Sequence, residues 1–270
     1  MSNFLLTVCI ITYNHEKFIA KAIESVLTQQ TNFEFKIVIA DDFSTDKTRE
    51  VLEYYKIKYK NKIELLLQKE NIGAARNWLD LLKIPSSKYV AYLEGDDYWI
   101  DPFKLQMQID FMESNLDYSF CFHNVKINSA HQNDSFKYPK TKLNNLNFVQ
   151  ILLTHYIPSS SILFRNYDWV KQLPSFFKKS KSGDIPFELM LASKGKVKYF
   201  EKEMACYNRN IYSITQSNRD NLQLIRNTIW MYKELSKVLP FKYRLIVLLK
   251  SFRYCLSYFK IYLLKKFKIN

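Results

Sequence analysis

Glycine and proline are both scarce in this sequence, with four glycines and seven prolines among 270 residues. The chain therefore lacks the Gly-rich or Pro-rich segments that form flexible or extended linkers. Hydrophobic residues make up 47 % of the chain, which is enough to build a sizeable core. We expect one large folded domain, or a domain with a tail, and no long disordered segment.

Cysteine and histidine also show no pattern typical of a metal or redox site. The cysteines are far apart and contain no C-x-x-C spacing; they are Cys9, Cys121, Cys206 and Cys255. The N-terminus has no basic segment followed by a cleavage site. We therefore predict buried free thiols and a reducing, cytoplasmic setting. The four histidines share no ligand spacing and are predicted to be structural or solvated: His15, His123, His131 and His155.

Acidic residues are absent from the last 31 residues, 240–270, which carry eight of the lysines and arginines of a chain with net charge +14. On a helix, five of these cations fall within about an 80° arc; they are Lys242, Lys250, Arg253, Lys260 and Lys268. The opposite side carries Leu245, Leu248, Phe252, Leu256, Phe259 and Leu263. No apolar run in this segment approaches the ~20 residues that are needed to span a bilayer.

A basic amphipathic helix of this kind predicts contact with an anionic membrane surface. The alternative is that its apolar stripe packs against the rest of the chain, as most helices do. No nucleic-acid partner is expected, because the tail contains no recognisable nucleic-acid-binding motif.

Strand-like and helix-like segments alternate through the first 115 residues. Apolar strand-like runs cover residues 5–12, 35–40, 63–67 and 89–93, and a helical pattern follows each of them. This order predicts an α/β fold with a mainly parallel sheet between helices. A polar surface excursion is predicted over 124–147. The later predicted strands are 159–164, 196–200 and 204–207, and the later predicted helices are 184–193, 221–237 and 241–267.

Acidic side chains follow two of the predicted strands, Asp41 and Asp42 after the second, and Asp96 and Asp97 after the fourth. Ligands of such sheets bind beyond the carboxyl ends of the strands, where both pairs are expected to lie. Adjacent carboxylates repel unless a cation lies between them, and Mg²⁺ or Mn²⁺ holding a diphosphate would satisfy them. Alternatively, each pair could cap a helix or line a solvated turn. Two pairs at one edge favour a functional site.

Seven sequence blocks resemble, in order, the family-2 inverting glycosyltransferases of GT-A fold. They are residues 8–14, 25–30, 39–46, 71–77, 93–99, 182–184 and 204–207, so the resemblance spans roughly 5–210. It implies a GT-A catalytic domain over 1–215 and a helical, basic amphipathic tail over 216–270. The donor-binding half would be about 1–115 and the acceptor-side half about 116–215.

The resemblance also implies a donor site. Tyr13 would stack on the base, Asp42 would accept a hydrogen bond from it, and Asp41 would support Asp42. Asp96 and Asp97 would contact the ribose and a Mn²⁺ or Mg²⁺ ion. The complete implied donor set is Thr12, Tyr13, Asn14, Asp41, Asp42, Gly73, Arg76, Glu94, Asp96 and Asp97.

Asp184 matches the position of the family's catalytic base. An inverting transfer needs a carboxylate that takes the proton of the acceptor hydroxyl. Because Ile185 and Pro186 follow, Asp184 could instead cap a helix. Glu188, about one helical turn further on, is the alternative base.

Two departures from the family pattern keep other functions open. The first is Glu94, which stands where the family commonly has Asp. The second follows the last predicted strand, where the family often has Arg, any residue, then His. Here Asn208 replaces the Arg, Arg209 is the intervening residue, and Asn210 replaces the His. A non-catalytic nucleotide-sugar-binding or scaffold protein is therefore an alternative. Nucleotidyl transfer is less favoured, because no glycine follows the first strand.

These observations predict an enzyme that moves a sugar from a nucleoside-diphosphate donor, UDP being the expected nucleotide, to a hydroxyl with inversion. The expected acceptor is a cell-surface glycan or a lipid-linked acceptor. The expected location is the inner face of the plasma membrane, as a peripheral protein.

Overall fold

A computed structural model describes residues 4–129, 145–154, 157–180, 183–209 and 221–267. Its strands are β1 (Leu6–Thr12), β2 (Phe35–Asp41), β3 (Ile63–Leu67), β4 (Tyr89–Glu94), β5 (Tyr98–Trp99), β6 (Tyr118–Ser129), β7 (Asn145–Leu146), β8 (Leu163–Arg165) and β9 (Lys196–Arg209). Its α-helices are α1 (Ile19–Leu27), α2 (Thr48–Lys58), α3 (Ala74–Leu81), α4 (Lys104–Ser114), α5 (Phe148–Thr154), α6 (Asp184–Ala192), α7 (Asn221–Val238) and α8 (Phe241–Phe267).

The first four strands form the parallel half of one mixed sheet. β1 lies between β2 and β4, β3 extends the sheet beyond β2, and all three pairings are parallel. β1 is apolar along almost its whole length because helices cover both of its faces. The carboxyl ends of β1, β2 and β4 therefore meet at one edge of the sheet.

The second half of the sheet is mixed. β8 runs antiparallel to β4 and β6, β9 is parallel to β6, and the two-residue strands β5 and β7 are antiparallel to β9. The strand order is β3-β2-β1-β4-β8-β6-β9-β5, with β7 on β9. This sheet between helices confirms the predicted α/β fold class.

Each face of the sheet carries its own hydrophobic core, because alternate side chains of a strand point to opposite faces. Val8 and Ile10 pack with buried residues of α1 such as Ile23. Cys9 packs in the other core, which includes Leu81 of α3 and Phe187 of α6. Cys9, Cys121 and Cys206 are free and buried, as predicted.

The two C-terminal helices form a hairpin that packs on the second core. α7 inserts Met231, Tyr232 and Leu235, and α8 contributes Val247. The Tyr232 and Tyr254 rings stack across the hairpin, with centroids 5.9 Å apart. In the described part of the chain, no helix is long and apolar enough to span a bilayer.

The other face of α8 is apolar and exposed. It carries, within about a 140° arc, Phe241, Leu245, Leu248, Leu249, Phe252, Leu256, Phe259 and Tyr262. Five of the six residues of the predicted apolar stripe are thus exposed, and the alternative that the stripe packs against the rest of the chain is wrong for these five; the sixth, Leu263, is half-buried. We call this surface the α8 apolar face.

Three secondary-structure predictions need correction. Residues 159–161 form a 3₁₀ turn, held by the hydrogen bond from Ser161 Oγ to the Pro158 carbonyl (2.6 Å), and only Leu163–Arg165 is a strand. The two short strands predicted after α6 are one strand, β9, because irregular pairing with β6 carries it past the polar residues 201–203. β6 continues to Ser129, so the surface excursion begins later than residue 124.

Some predictions fall outside the described residues. They concern residues 130–144 of the excursion, His131, His155, Ser182, Asn210, the boundary near residue 215, and Lys268.

Candidate active site

The predicted donor residues lie along the edge formed by the carboxyl ends of β1, β2 and β4. Thr12 pairs with Asp41 in the sheet register, and Ile11 pairs with Glu94. The backbone N–H of Asp42 donates to the Thr12 carbonyl (3.0 Å), and that of Gly95 donates to the Ile11 carbonyl (2.8 Å). Both acidic clusters therefore flank the end of β1.

Asp41 is fully buried and organises the loop that follows β2. Its carboxylate accepts hydrogen bonds from Arg49 Nε (2.6 Å), the Ser44 N–H (3.0 Å) and the Ser44 hydroxyl. Because this carboxylate is paired with Arg49, Asp41 is suited to support its neighbour Asp42. Arg49 is a supporting residue that the sequence analysis did not identify.

Asp42 connects β2 to the turn before α3. Its Oδ1 accepts the N–H of Ile72 (2.8 Å), and the next residue, Gly73, has a φ of +86° that favours glycine. Burial raises the pKa of Asp42, although the Ile72 and Gly73 N–H groups act to lower it. Arg76 is exposed on the first turn of α3; its N–H donates to the Gly73 carbonyl (3.0 Å), while its guanidinium makes no hydrogen bond or ion pair with any described residue.

The loop after β1 presents Tyr13 at the rim of this edge, with 42 % of its surface exposed. The next residue, Asn14, has a φ of +54° and holds the loop after β2, since its Oδ1 accepts the Thr45 N–H (2.8 Å) and its N–H donates to Ser44 Oγ (2.9 Å). These bonds fix the backbone on which Tyr13 is displayed.

Three carboxyl groups crowd the end of β4. Burial, then the charges of Asp96 and Asp184, raise the pKa of Glu94 to about 7. Burial, then the charges of Glu94 and Asp96, raise the pKa of Asp97 well above its ordinary value. Asp97 Oδ2 is buried and has no hydrogen-bond partner among the residues that the structure describes. A cation would relieve this repulsion and satisfy that oxygen.

The carboxylates after β4 fit a divalent cation that also binds a phosphorylated ligand. Within the described ranges, no group of three His, Cys, Asp or Glu side chains could hold a metal by itself. Mg²⁺ commonly uses only one or two protein carboxylates and takes its other ligands from water and substrate phosphates. Asp96 and Asp97 could supply these one or two protein carboxylates. The described residues do not provide enough ligands for a metal site built from protein side chains alone.

Asn208 organises the Asp96–Asp97 turn, a role that the sequence analysis missed. Its N–H donates to Asp97 Oδ1 (2.9 Å), and its Nδ2 donates to the Asp96 carbonyl (2.6 Å). On the other side, the Ser159 hydroxyl donates to Glu94 Oε1 (2.9 Å). Asn208, which departs from the family pattern, therefore supplies a side-chain amide that holds the acidic turn in place.

His15 and Thr12 form a second polar cluster beneath this turn. Thr12 Oγ1 and His15 Nδ1 are both buried, and neither finds a hydrogen-bond partner in the described residues. Burial lowers the pKa of His15, while the charges of Asp96, Asp46 and Asp41 raise it. His15, predicted to be structural or solvated, thus lies at the candidate site, within the electrostatic influence of Asp96.

Gly95 leaves the space that these two side chains occupy. A Cβ at position 95 would lie 2.9 Å from His15 Nδ1 and from the Cβ and Oγ1 of Thr12, closer than side chains pack. We expect Gly95→Ala to lower the free energy of unfolding by about 1–3 kcal/mol, the usual cost of overpacking. Urea unfolding measures this difference.

The matched control is Gly183→Ala. Its Cβ would meet Phe177 at 3.9 Å and Trp78 at 4.0 Å, and its φ of −71° suits alanine. This control should change stability by no more than about 1 kcal/mol. Equal unfolding midpoints for the two variants would contradict the crowding at Gly95.

Asp184 is the first residue of α6 and is exposed. The N-cap residue of α6 is Gly183, so Asp184 lies one position inside the helix and the alternative that it caps α6 is wrong. Its charge raises the pKa values of Glu94 and Tyr92, which places its carboxylate within electrostatic reach of the end of β4. Glu188 is buried beneath it, and burial raises the pKa of Glu188 well above the ordinary value.

Aromatic packing fixes α6 in this position. The Phe187 ring packs edge to face on Trp78 of α3 and on Phe164 of β8, with centroids 5.1 Å apart in each pair. Because α3 also carries Gly73 and Arg76 at its N-terminal end, one aromatic cluster sets the spacing between the candidate donor site and Asp184. Thr12 and Asp42 adjoin the end of β1, Asp97 follows the end of β4, and the charge of Asp184 reaches Glu94 at that same end.

Similar proteins include several bacterial relatives. Rv1520, an uncharacterised protein of Mycobacterium tuberculosis, is 29 % identical over 217 residues, which are 78 % of this chain and 61 % of the relative. TuaG of Bacillus subtilis, whose name assigns it to teichuronic acid biosynthesis, is 27 % identical over 88 % of this chain and 92 % of its own. WfgD of Escherichia coli is named as a UDP-Glc:α-D-GlcNAc-diphosphoundecaprenol β-1,3-glucosyltransferase. It is 37 % identical over 47 % of this chain and 48 % of its own. The chain thus spans less than two thirds of the mycobacterial relative.

Solved structures share the fold. TarS of S. aureus in complex with UDP-GlcNAc superposes with a TM-score of 0.71 at 17 % identity, covering 94 % of this chain and 73 % of TarS. The mannosyltransferase PcManGT of Pyrobaculum calidifontis, in complex with GDP-Man and Mn²⁺, has a TM-score of 0.64 at 11 % identity, covering 93 % and 70 %. Both support a GT-A architecture for the sheet and its helices.

The family match decides the classification. Residues 7–170, more than half of the chain, match the family described as Glycosyl transferase family 2. This segment contains β1 to β8, both acidic clusters and the aromatic support of α6 at Trp78 and Phe164. The chain therefore belongs to Glycosyl transferase family 2, as its sequence blocks and its GT-A fold indicate.

Proposed function

We propose that this glycosyltransferase moves a sugar from a UDP-linked donor to a hydroxyl group of a glycan or lipid-linked acceptor, with inversion at the anomeric carbon. The observation that carries the proposal is that Asp41 and Asp42 at the end of β2 and Glu94, Asp96 and Asp97 at the end of β4 flank the same end of β1. The UDP-Glc in the name of WfgD and the UDP-GlcNAc bound to TarS support the choice of nucleotide.

In this proposal the N-terminal half, about residues 1–115, binds the nucleotide. The exposed Tyr13 ring stacks on the base, and Asp42, held by hydrogen bonds with Ile72 and Thr12, accepts a hydrogen bond from it. Thr12 and Asn14 shape the floor and the adjoining loop. Gly73 places the N-terminus of α3 beside Asp42, and Arg76 extends from that helix toward the diphosphate.

The cation would be held by Asp96 and Asp97, with Mn²⁺ or Mg²⁺ as the expected ion. The Mn²⁺ bound to PcManGT supports this choice. When bound, the ion stabilises the negative charge that develops on the leaving diphosphate. Asn208 keeps the carboxylate of Asp97 oriented, and Glu94 accepts hydrogen bonds from ribose hydroxyls.

Asp184 is the proposed catalytic base. The acceptor oxygen forms a bond to the anomeric carbon while the bond from that carbon to the diphosphate oxygen breaks. The proton of the acceptor hydroxyl passes to the Asp184 carboxylate. The exposed position of Asp184 at the start of α6 suits this role, because an acceptor must approach from solvent.

The acceptor side would be formed by residues about 116–215, and the tail, about 216–270, would contact a membrane. The lipid-linked acceptor in the name of WfgD and the teichuronic acid biosynthesis in the name of TuaG support a surface-glycan product. An anionic inner leaflet is the expected surface, since α8 carries cations and no acidic residue. The protein would act as a peripheral enzyme there.

The stereochemistry of slow donor hydrolysis tests the reaction class. With Mn²⁺ and an α-linked UDP-sugar, ¹H NMR should show the β-anomer of the free sugar first, before it equilibrates by mutarotation. Early appearance of the α-anomer would contradict inversion. Binding without any released sugar would favour the non-catalytic alternative.

The α8 apolar face should determine membrane affinity. Phe252 is 58 % exposed and Phe259 is 61 % exposed, so neither ring is needed for packing within the protein. Replacing both by serine should reduce partitioning onto anionic vesicles about a hundredfold, because burial of each ring in the interface contributes roughly 1.5 kcal/mol. Sedimentation with phosphatidylglycerol vesicles measures this loss.

The control replaces two exposed apolar residues of α2, Tyr54 (57 %) and Ile57 (80 %), with serine. This pair removes comparable apolar surface from another part of the molecule and should leave vesicle binding unchanged. If both double variants sediment with vesicles as the unmodified protein does, the membrane role of α8 is contradicted.

A further inference from the structure

A cavity of about 340 Å³ opens between α7 and α8, outside the candidate active site. Its lining consists of Arg226, Ile229, Trp230, Lys233 and Tyr258. Two cationic side chains, two aromatic rings and one aliphatic side chain thus line a space that is open to solvent and large enough for a phosphate or diphosphate group. We call it the α7–α8 cavity.

The charges of this cavity favour an anion. Arg226 Nε donates to the Tyr258 hydroxyl (2.8 Å), and its guanidinium lies 5.2 Å from the Tyr258 ring centroid. Neither Arg226 nor Lys233 forms an ion pair with a carboxylate in the described ranges. The acidic side chain nearby on α7, Glu234, is already paired with Lys237 (2.6 Å). An incoming phosphate would therefore meet cations whose charge is not neutralised by a carboxylate.

The apolar surroundings indicate that this anion is attached to a hydrophobic chain. Tyr258 stacks on Tyr262, with ring centroids 6.3 Å apart, and Tyr262 belongs to the α8 apolar face. The Tyr258–Tyr262 pair thus connects the cavity to that face. A molecule with a phosphate in the cavity could lay its apolar chain toward the face that we propose to lie in the membrane.

The cavity also adjoins the proposed acceptor side. Trp230 lines both the α7–α8 cavity and a smaller one, which is also lined by Lys179 and by Ile185 of α6. Ile185 directly follows Asp184, the proposed base. An anchored acceptor could therefore extend from the cavity past Trp230 toward Asp184.

We propose that the α7–α8 cavity binds the phosphate or diphosphate of a lipid-linked acceptor, with Arg226 and Lys233 as its anion-binding residues and Trp230 and Tyr258 as its apolar walls. The inference rests on the proposed transfer to an acceptor and names the class of that acceptor. Neither cation takes part in donor binding or in the chemical step.

Farnesyl diphosphate, a short amphiphile with a diphosphate, is the probe. Its binding to the full chain is measured by isothermal titration calorimetry with saturating UDP and Mn²⁺, so that the donor site is already filled. We expect Arg226→Gln/Lys233→Gln to weaken binding at least about tenfold, as loss of charge-assisted hydrogen bonds does. Lys233→Gln alone, at an exposed side chain, gives a second variant with little risk to folding.

The control is Arg253→Gln/Lys260→Gln, which removes the same charge from the exposed side of α8. It should change the affinity no more than about twofold, since surface charges act weakly at a distance in salt. Farnesol and inorganic diphosphate, each lacking half of the amphiphile, should bind at least about tenfold more weakly than farnesyl diphosphate.

Two results would overturn the proposal. Equal weakening by the two double variants would mean that net charge alone attracts the probe. Tight binding of inorganic diphosphate would mean that no lipid is recognised. Failure of the donor site has a separate readout, because UDP affinity is measured on the same samples before the probe is added.

Discussion

Replacing Asp184 by asparagine is expected to lower the turnover of a UDP-sugar by about 10²–10⁴-fold, the usual contribution of a general base. The affinity for UDP should stay within about twofold, because in this account Asp184 contacts the acceptor and not the nucleotide. Donor hydrolysis followed by UDP release measures turnover, and calorimetry measures UDP affinity. An exposed side chain at a helix start also makes this substitution safe for folding.

Glu188→Gln is the matched comparison, because Glu188 is the other carboxyl near this position. Burial raises the pKa of Glu188 well above its ordinary value, and its side chain is buried, so it is less accessible to an acceptor hydroxyl than the exposed Asp184. We therefore expect this variant to keep most of the turnover. A large loss in Glu188→Gln together with an active Asp184→Asn would move the role of base to Glu188.

Replacing Asp97 by asparagine should weaken Mn²⁺ binding in the presence of UDP by at least about tenfold, since loss of metal-site interactions commonly costs 10–100-fold. The Asn208 N–H can still donate to the amide oxygen that replaces Oδ1, so the turn should keep its shape. The EPR signal of free Mn²⁺ during a titration measures the affinity. Removal of Mn²⁺ by EDTA should abolish sugar transfer in the unmodified protein.

Stability separates this loss from misfolding. Burial and the charges of Glu94 and Asp96 disfavour the ionised form of Asp97, so a neutral side chain should leave the ligand-free protein at least as stable as before. Asp110→Asn, at an exposed position of α4, is the control and should keep its Mn²⁺ affinity. Unchanged Mn²⁺ binding in Asp97→Asn would contradict the assignment of the metal site.

Much of the fold could be predicted because the strands of the parallel half are buried on both faces. Continuous apolar runs give β1 and β2 an unambiguous sequence pattern, and the acidic residues mark where β2 and β4 end. The second half was less predictable, because its pairing depends on distant partners. β9 continues through residues 201–203 only because β6 lies alongside it.

The site shows the same division between local and distant information. The strand ends predicted the positions of Asp42 and Asp97 at one sheet edge, whereas Asp184 was assigned to the same site only through the family resemblance, and its role stays a prediction. Asn208 was noticed only as a departure from the family pattern, because its bonds to Asp96 and Asp97 join residues more than 100 positions apart. His15 was missed because an isolated histidine gives no signal until Gly95 and Thr12 are seen beside it.

The central claim is that one cleft, lined by Asp42, Asp97 and their neighbours, binds a nucleoside diphosphate together with a divalent cation. Thermal unfolding of the full chain against a panel of sugar nucleotides, with and without Mn²⁺, tests it most directly. The melting temperature should rise with the concentration of a UDP-sugar when Mn²⁺ is present, and it should rise less without the ion. A melting temperature that no sugar nucleotide changes, with or without Mn²⁺, would contradict it.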